Sequence, residues 1–245
     1  MKKILPKKKW GQNFLIDKNI AKKIVDIADI KSTDDVLEIG PGTGSLTEII
    51  CQKAKETTCV EIDPNLSEFI VKKELNKVYV ENCDILKYEP NNINNAIIIG
   101  NLPYNITTPI IFKFLKKNNW KKMVFMVQKE VGQRIVSEHN SKIYGRLSVM
   151  CQTYSKINFE FTISKNVFYP KPKVESCVIS FLPRKIKFTK DYETFIRKCF
   201  SNRRKILKNN LKDYSTDLPE KILVKRPAEL TVDEYIDLMK NNIIK

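Results

Sequence analysis

The chain has 245 residues and 42% of them are hydrophobic, so it is long enough to bury a substantial core. Its formal net charge of +16 favours a polyanionic partner such as a nucleic acid, although an AT-rich genome also inflates Lys and Asn. A single histidine leaves almost no material for a zinc site or for histidine-based catalysis, so we expect no metal.

The six cysteines form no Cys-x-x-Cys pair, and several of them lie in apolar runs. We therefore expect reduced thiols and a cytoplasmic protein. We recognise no signal peptide and no apolar run of membrane-spanning length, which favours a protein without a membrane partner.

The first elements are a basic arm, Lys2 to Lys9, and an aromatic and amide-rich segment, Trp10 to Leu15. We interpret that segment as a structured loop, and a plain arm that packs its aromatic rings on the domain is the alternative. Asp17 is placed as an N-cap, and the apolar spacing after it predicts a helix to about Ala28.

A predicted strand, a Gly-rich turn and a predicted helix follow in that order. Residues 35–39 form the strand, Gly-Pro-Gly-Thr-Gly at 40–44 forms the turn, and the helix runs from Ser45 to about Lys55. Such a turn lets the backbone approach a cofactor at a helix N-terminus. The G-x-G-x-G spacing differs from the dinucleotide fingerprint, which disfavours a nicotinamide oxidoreductase.

Polar side chains stand at the ends of successive predicted strands. Glu38 precedes the Gly-rich turn, and Glu61 follows the glycines by about 20 residues, where an acidic residue binds ribose hydroxyls. A strand that begins at Val78 ends near Asp84, which could hold the amine of an adenine ring. Helix caps explain single acids of this kind, but the whole series favours a site for a nucleoside-bearing cofactor.

The fourth strand, Ala96 to Ile99, leads into Asn101-Leu102-Pro103-Tyr104. These residue types suit the methylation of an adenine amine, whose nitrogen lone pair is delocalised into the ring. The amide oxygen of Asn101 and the carbonyl oxygen of Leu102 or Pro103 can accept its two N–H bonds, and Tyr104 can stack on the base. An ordinary strand-to-loop turn is the alternative, since Asn, Pro and Gly are turn residues.

The remaining elements predicted before Arg184 are three helices and three strands. The helices lie at residues 110–117, from about 129 onward and at 149–154, and the strands lie at 122–127, 156–163 and 177–182. The proline-containing stretch 166–176 is predicted to be a rigid loop, because two prolines disfavour helix and central strand. Its aromatic residues either face a flipped base or pack in the core. From Arg184 the chain is Lys/Arg-dense and helical, which predicts two domains, 1–183 and 184–245, the second with a basic RNA-contacting face.

The motifs taken together resemble the KsgA family of bacterial small-subunit (16S) ribosomal RNA adenine dimethyltransferases. The resemblance spans nearly the whole chain and rests on these segments: Gly11-Gln12-Asn13-Phe14-Leu15, Glu38-Ile39-Gly40-Pro41-Gly42-Thr43-Gly44, Gly100-Asn101-Leu102-Pro103-Tyr104-Asn105-Ile106, Gln128-Lys129-Glu130-Val131, Tyr144-Gly145-Arg146-Leu147-Ser148, Phe168-Tyr169-Pro170-Lys171-Pro172-Lys173-Val174, Arg203-Arg204-Lys205, Asn209-Asn210-Leu211 and Arg226-Pro227-Ala228-Glu229-Leu230.

This resemblance implies an α/β fold. It implies a Rossmann-like class I S-adenosylmethionine methyltransferase domain with a mostly parallel seven-stranded sheet, plus a small C-terminal α-helical domain. The implied activity is dimethylation of N6 on two adjacent adenines in the 3′-terminal hairpin loop of small-subunit rRNA, coupled to small-subunit biogenesis. We expect direct in-line transfer with no covalent enzyme intermediate.

The resemblance also implies roles for particular residues. S-adenosylmethionine would be bound by Asn13, Leu15, Gly40, Gly42, Glu61, Ile62, Asp84, Ile85 and Asn101. The target adenine would be held by Asn101, Leu102, Pro103 and Tyr104, with Phe168 stacking on it. The implied partners are small-subunit rRNA and the pre-30S ribosomal particle, and the expected state is a cytoplasmic monomer.

Two other functions remain as alternatives. One is the related 23S rRNA adenine methyltransferase that confers macrolide resistance, which has a similar Gly-rich turn and a similar Asn-x-Pro-Tyr motif. The other is a non-catalytic assembly or transcription factor built on the same fold.

Overall fold

We describe the chain from a computed structural model that covers residues 5–89, 94–117, 119–212 and 218–240. Residues 2–4 of the predicted basic arm lie outside these ranges. Contacts divide the chain into two compact units. The first ends at Gly132 and resumes over Asn158–Pro183, and the second contains Gln133–Ile157 and the residues from Arg184 onward. The sequence prediction places 133–157 in the first domain, whereas their contacts group them with the C-terminal residues.

The structure has the following strands: β1 (Phe14–Leu15), β2 (Asp35–Ile39), β3 (Glu56–Val60), β4 (Val78–Glu81), β5 (Ile97–Asn101), β6 (Lys122–Gln128), β7 (Ser155–Ile163), β8 (Phe168–Tyr169) and β9 (Ser176–Pro183). Its α-helices are α1 (Lys18–Ala28), α2 (Thr47–Ile50), α3 (Pro64–Val71), α4 (Thr107–Lys117), α5 (Lys129–Val136), α6 (Arg146–Tyr154), α7 (Lys190–Cys199), α8 (Leu207–Asn210), α9 (Glu220–Leu223) and α10 (Val232–Lys240). Short 3-10 turns lie at Lys8–Trp10, Lys165–Val167 and Pro227–Glu229.

Seven of the strands in the described residues form one sheet, in the order β4-β3-β2-β5-β6-β9-β7. The neighbours from β4 to β6 are parallel, and β9 runs antiparallel to β6. This mostly parallel sheet with helices between its strands confirms the predicted α/β fold with a mostly parallel seven-stranded sheet. The predicted edge strand is β7, which stands last in the sheet order.

Helix α1 packs its apolar stripe on the sheet. Its buried residues join one core cluster with side chains from β2, β5 and β6, among them Ile24, Val36, Ile97 and Val124. The side chain of Asp17 accepts hydrogen bonds from the backbone N–H groups of residues 19 and 20, so the predicted N-cap is confirmed.

Two sequence predictions about local structure are wrong. The helix predicted from Ser45 to Lys55 is only four residues long, because a turn closes at Lys53 and Lys55 donates to the Asp34 carbonyl, which directs the chain into β3. The predicted loop at 166–176 contains a short strand, β8, which pairs antiparallel with β1.

In the second unit, helices α6, α7 and α10 bury large aromatic side chains. Tyr154, Tyr192 and Tyr235 are each fully buried. The hydroxyl group of Tyr235 donates to the Pro227 carbonyl at 2.8 Å, and Tyr192 shares a hydrogen bond of 2.9 Å with Thr153. The predicted helical character after Arg184 is present in the described residues.

The six cysteines are free thiols. Within the described residues, no helix has both the length and the apolar character that crossing a membrane requires.

Candidate active site

The sheet register brings the predicted polar residues to one edge. Ile39 at the end of β2 is paired with Val60 on one side and with Gly100 on the other. The residues that follow these positions therefore leave the sheet at the same level. Glu61 and Gly40 are the first residues after β3 and β2, Asn101 is the last residue of β5, and all three lie at the carboxyl ends of these strands.

A cleft that is open to solvent lies at this edge. All the predicted cofactor residues line it, and so do four of the five residues predicted to hold the adenine, with Asn101 predicted for both roles: Asn13, Leu15, Gly40, Gly42, Glu61, Ile62, Asp84, Ile85, Asn101, Leu102, Pro103 and Tyr104.

The Gly-rich turn forms the floor of the cleft. Gly42 has a φ of +57°, and a Cβ atom there would lie 3.1 Å from the ring of Phe14. A side chain at this position would therefore be strained and would crowd Phe14. The Gly40 N–H donates to the Val60 carbonyl at 2.9 Å, which ties the turn to β3.

Glu61 is the best-placed acid in the cleft. Its carboxylate accepts hydrogen bonds from the backbone N–H of Asp63 at 2.9 Å and of Gly42 at 3.3 Å. Burial raises the pKa of Glu61, and these backbone hydrogen bonds oppose that shift. The Glu61 side chain is therefore fixed in orientation, and it can accept further hydrogen bonds from a ligand in the cleft.

Two apolar side chains and a second acid stand beside Glu61. Ile62 is 41% exposed, while Ile85 is buried, and both line the cleft. Asp84 accepts one hydrogen bond from the Leu86 N–H at 2.9 Å through Oδ1. Apolar contacts flanked by an acceptor are what an adenine ring with its amine requires.

Glu38 lies deeper in the same wall. It is 1% exposed, and burial raises its pKa to about 7. The thiol of Cys59 lies 3.5 Å from its Oε2 atom. Glu38 thus has the environment of a carboxyl group that can be neutral near pH 7.

The side-chain amide of Asn101 has a defined orientation. Its Nδ2 atom donates to the backbone carbonyl of Asn13 at 2.8 Å. Since a carbonyl oxygen only accepts, the amide nitrogen faces Asn13, and the amide oxygen is left to accept a hydrogen bond from elsewhere.

The structure distinguishes between the carbonyl groups of Leu102 and Pro103, which the sequence leaves as alternative acceptors for the target amine. The Pro103 carbonyl already accepts from the Ile106 N–H at 3.1 Å and from the Thr107 hydroxyl at 3.0 Å. Both of its lone pairs are thereby used, which favours Leu102 as the residue whose carbonyl faces a ligand.

The hydroxyl group of Tyr104 is held by a hydrogen bond. Its hydroxyl group lies 2.7 Å from the hydroxyl of Ser176, a fully buried residue at the start of β9. Burial raises the pKa of Tyr104, so its hydroxyl stays protonated near neutral pH. Ser176 carries no recognisable motif signal in the sequence, and only the pairing of β9 with β6 brings it here.

Phe168 lies apart from these residues. Its side chain is 3% exposed and belongs to the same core cluster as Leu15 and α1, and it is not among the described residues that line the cleft. The adjacent ring of Tyr169 is 52% exposed. The stacking role of Phe168 stays a prediction, and in this structure its ring packs in the core.

Metal ligands do not cluster in this site. Among the described residues, no group of three or more His, Cys, Asp or Glu side chains is arranged to hold a metal ion.

Comparison with known proteins gives consistent results. The family model described as Ribosomal RNA adenine dimethylase matches residues 5–240. A Ribosomal RNA small subunit methyltransferase A from Malacoplasma penetrans (strain HF-2) is 46% identical over 218 residues, which is 86% of this chain and 80% of that protein.

Solved structures extend the similarity. A dimethyladenosine transferase from Plasmodium falciparum has a TM-score of 0.83 at 26% identity, covering 94% of this chain and 99% of its own. The 23S rRNA methyltransferase ErmE has a TM-score of 0.71 at 24% identity, covering 91% of this chain and 99% of its own, which is a likeness of fold.

Proposed function

This chain belongs to the ribosomal RNA adenine dimethylase family, and from that membership we propose that it dimethylates N6 of two adjacent adenines in the 3′-terminal hairpin loop of small-subunit (16S) rRNA. S-adenosylmethionine is the methyl donor in this proposal. The observation that carries it is the oriented amide of Asn101, which stands at the same strand edge as the buried acid Glu61.

The residues that line the cleft suit S-adenosylmethionine by their chemistry. The turn at Gly42 brings backbone to the cleft floor with no room for a side chain. Glu61 would accept from the ribose hydroxyls, and Ile62, Ile85 and Asp84 would hold the adenine ring. When bound, this cofactor supplies an electrophilic methyl group.

The residues on the other side of the cleft would activate the target amine. Its nitrogen is a poor nucleophile because the lone pair is delocalised into the adenine ring. The Asn101 amide oxygen and the Leu102 carbonyl would each accept a hydrogen bond from one N–H group of the amine. Two such hydrogen bonds favour a pyramidal nitrogen with a localised lone pair. Tyr104, fixed by Ser176, would stack on the base, a contact worth about 1–3 kcal/mol.

The proposal also covers the RNA partner, the particle on which the chain acts and the choice of ribosomal subunit. The net charge of +16 supports an RNA partner that is bound in a salt-dependent manner. We propose that the chain acts as a cytoplasmic monomer on the pre-30S particle. The relative from Malacoplasma penetrans, named for the small subunit, is 46% identical and supports the small subunit over the large one.

The first test is methyl transfer from labelled S-adenosylmethionine to small subunits that lack the modification. The product is mapped by nuclease digestion and mass spectrometry. We expect N6,N6-dimethyladenosine at two adjacent adenines of the 3′ hairpin. Transfer to large-subunit RNA instead would favour the 23S enzyme, and intact cofactor binding without transfer to either subunit would favour a non-catalytic factor.

Glu61→Gln is expected to weaken binding of S-adenosylmethionine by about 10- to 100-fold, since hydrogen bonds to a charged group contribute about 1.5–3 kcal/mol. Burial raises the pKa of Glu61, so acidification should protonate it earlier than an ordinary glutamate and should weaken cofactor binding by the wild type. The Gln variant should lack that pH dependence. Isothermal titration calorimetry over a pH series measures both effects.

The matched control is Glu56→Gln, which removes an exposed carboxylate from the start of β3, the strand that Glu61 follows. Its cofactor affinity should equal that of the wild type. Equal affinities for the Glu61→Gln and wild-type chains would show that Glu61 does not bind the cofactor.

A further inference from the structure

Asp63, two residues beyond Glu61, binds two side chains of the N-terminal segment, which we define as residues 7–13. Lys7 Nζ lies 2.8 Å from Asp63 Oδ1, and Gln12 Nε2 donates to Oδ2 at 3.1 Å. Asp63 is 1% exposed. Burial raises the pKa of its carboxyl group, but the hydrogen bonds from Lys7 and Gln12 bring that pKa below its usual value.

The N-terminal segment is closed on itself as well as on Asp63. The backbone N–H of Lys7 donates to Gln12 Oε1 at 2.7 Å, so the Gln12 amide bonds both the segment and Asp63. Asn13 Nδ2 donates to the Gly11 carbonyl at 3.1 Å. These bonds hold the backbone of the segment in one conformation up to Asn13.

The segment also lies directly on the Asn101–Tyr104 motif. A Cβ atom on Gly11 would stand 3.5 Å from Asn105 Oδ1 and 3.8 Å from Pro103 Cβ, which are van der Waals distances. The Asn13 carbonyl accepts the hydrogen bond from Asn101 Nδ2. If the Asn101 amide rotated by half a turn, its oxygen would face the Asn13 carbonyl, two acceptors in contact.

These contacts connect Asp63 to Asn101 without passing through a bound ligand. Of the described residues that line the cleft, Trp10, Gly11, Gln12 and Asn13 belong to the segment, whereas Lys7 and Asp63 lie outside the lining. Lys7 can therefore affect the site through the position of the segment, whereas Asp63 also donates its backbone N–H to Glu61, so the Lys7 variants test the route through the segment by itself.

We propose that Asp63 is a positioning residue for methyl transfer: it anchors the N-terminal segment through Lys7 and Gln12, and the segment sets the Asn101 amide through the Asn13 carbonyl. This inference rests on the proposed function. The ion pair between Lys7 and Asp63 is partly buried, with side-chain exposures of 34% and 2%, so it is less screened than a surface pair.

Two substitutions each remove one partner of the ion pair between Lys7 and Asp63. Lys7→Met removes the cation, and Asp63→Asn removes the anion while keeping an oxygen that can cap α3, since Asn is as good an N-cap as Asp. At saturating S-adenosylmethionine and RNA, we expect kcat to fall about tenfold in each, because small misplacement of a reacting group costs one to two orders of magnitude in rate. Lys7→Arg should restore kcat to within about twofold, since it restores the charge-assisted hydrogen bond.

The matched control is Lys72→Met. Lys72 forms an exposed pair with Glu68 on α3, so this variant loses the same charge without touching the N-terminal segment. Its kcat should equal that of the wild type, and its KM for RNA measures how much the loss of one positive charge weakens RNA binding.

A second readout follows the segment without any substrate. The chain has two tryptophans: Trp10 lies in the segment, and Trp120 is 2% exposed. Acrylamide quenching of tryptophan fluorescence therefore reports mainly on Trp10. We expect stronger quenching in Asp63→Asn and Lys7→Met, and wild-type quenching in Lys7→Arg and Lys72→Met.

Lower kcat and stronger quenching in both anchor variants, with recovery in Lys7→Arg, would support the positioning role. Wild-type kcat in both anchor variants would overturn it, and so would an equal loss in Lys72→Met or a loss of kcat without stronger quenching. If the wild-type chain itself transfers no methyl group to small subunits, the proposed function fails and this inference fails with it.

Discussion

Asn101→Ala is expected to lower the rate of methyl transfer by about 10³-fold while the fold stays intact. The substitution removes the amide oxygen that would accept from the target amine, and the loss of one such preorganised group costs about 10²–10³ in kcat. It also removes the hydrogen bond to the Asn13 carbonyl, so the N-terminal segment loses its hydrogen bond to the motif. Single-turnover transfer to small subunits measures the chemical step directly.

The control for this experiment is Asn119→Ala. Asn119 is an exposed residue before β6 whose side chain bonds Asn94, and it does not line the cleft formed by the described residues. Circular dichroism and cofactor titration of both variants separate a loss of chemistry from a loss of fold or of binding. A wild-type rate in Asn101→Ala would refute the assignment of the active site.

The second large effect is expected on stability, from Gly100→Ala. Gly100 lies in β5 opposite Ile39 of β2, and an added Cβ atom would be only 2.5 Å from the Ile39 carbonyl oxygen and 3.1 Å from its Cβ. Both neighbours belong to central strands, so relief requires a backbone shift in the sheet. We expect a loss of about 3 kcal/mol in the free energy of unfolding, the upper range for overpacking.

Urea unfolding followed by circular dichroism measures this loss. Gly145→Ala is the matched control, because no heavy atom lies within 4 Å of a Cβ atom added there and its φ of −167° is extended. Its stability should stay within about 0.5 kcal/mol of the wild type. Equal stability of the two variants would contradict the close approach of β5 to β2. Because Gly100 immediately precedes Asn101, the Gly100 variant should also lose methyl transfer at temperatures where it remains folded.

Local signals in the sequence were sufficient for several elements. The strand at 35–39 has the predicted bounds, and α1 begins after Asp17 and ends at Ala28 as expected. Apolar periodicity and an N-cap act over a few residues, so they can be recognised without knowledge of the fold. The clustering of Glu61, Asp84 and Asn101 was also predictable, since the carboxyl ends of parallel strands meet at one edge of a sheet.

The same local reasoning failed where distant segments meet. The predicted helix after Ser45 stops after α2, because Lys55 bonds the Asp34 carbonyl at the start of β2. The proline-containing loop gains strand β8 because β1 is available to pair with it. Residues 133–157 join the second unit through contacts with helices that follow Arg184.

The residue types of the site, their order and the family they indicate were thus determined by the sequence alone. Only the tertiary structure decided that the Pro103 carbonyl already accepts hydrogen bonds, that Phe168 packs in the core, and which groups bond the side chains of Tyr104 and Asn101. Ser176 is 72 residues from Tyr104, and Asn13 is 88 residues from Asn101. Such hydrogen bonds form when sheet register and packing bring two atoms within about 3 Å, a condition that no local pattern encodes.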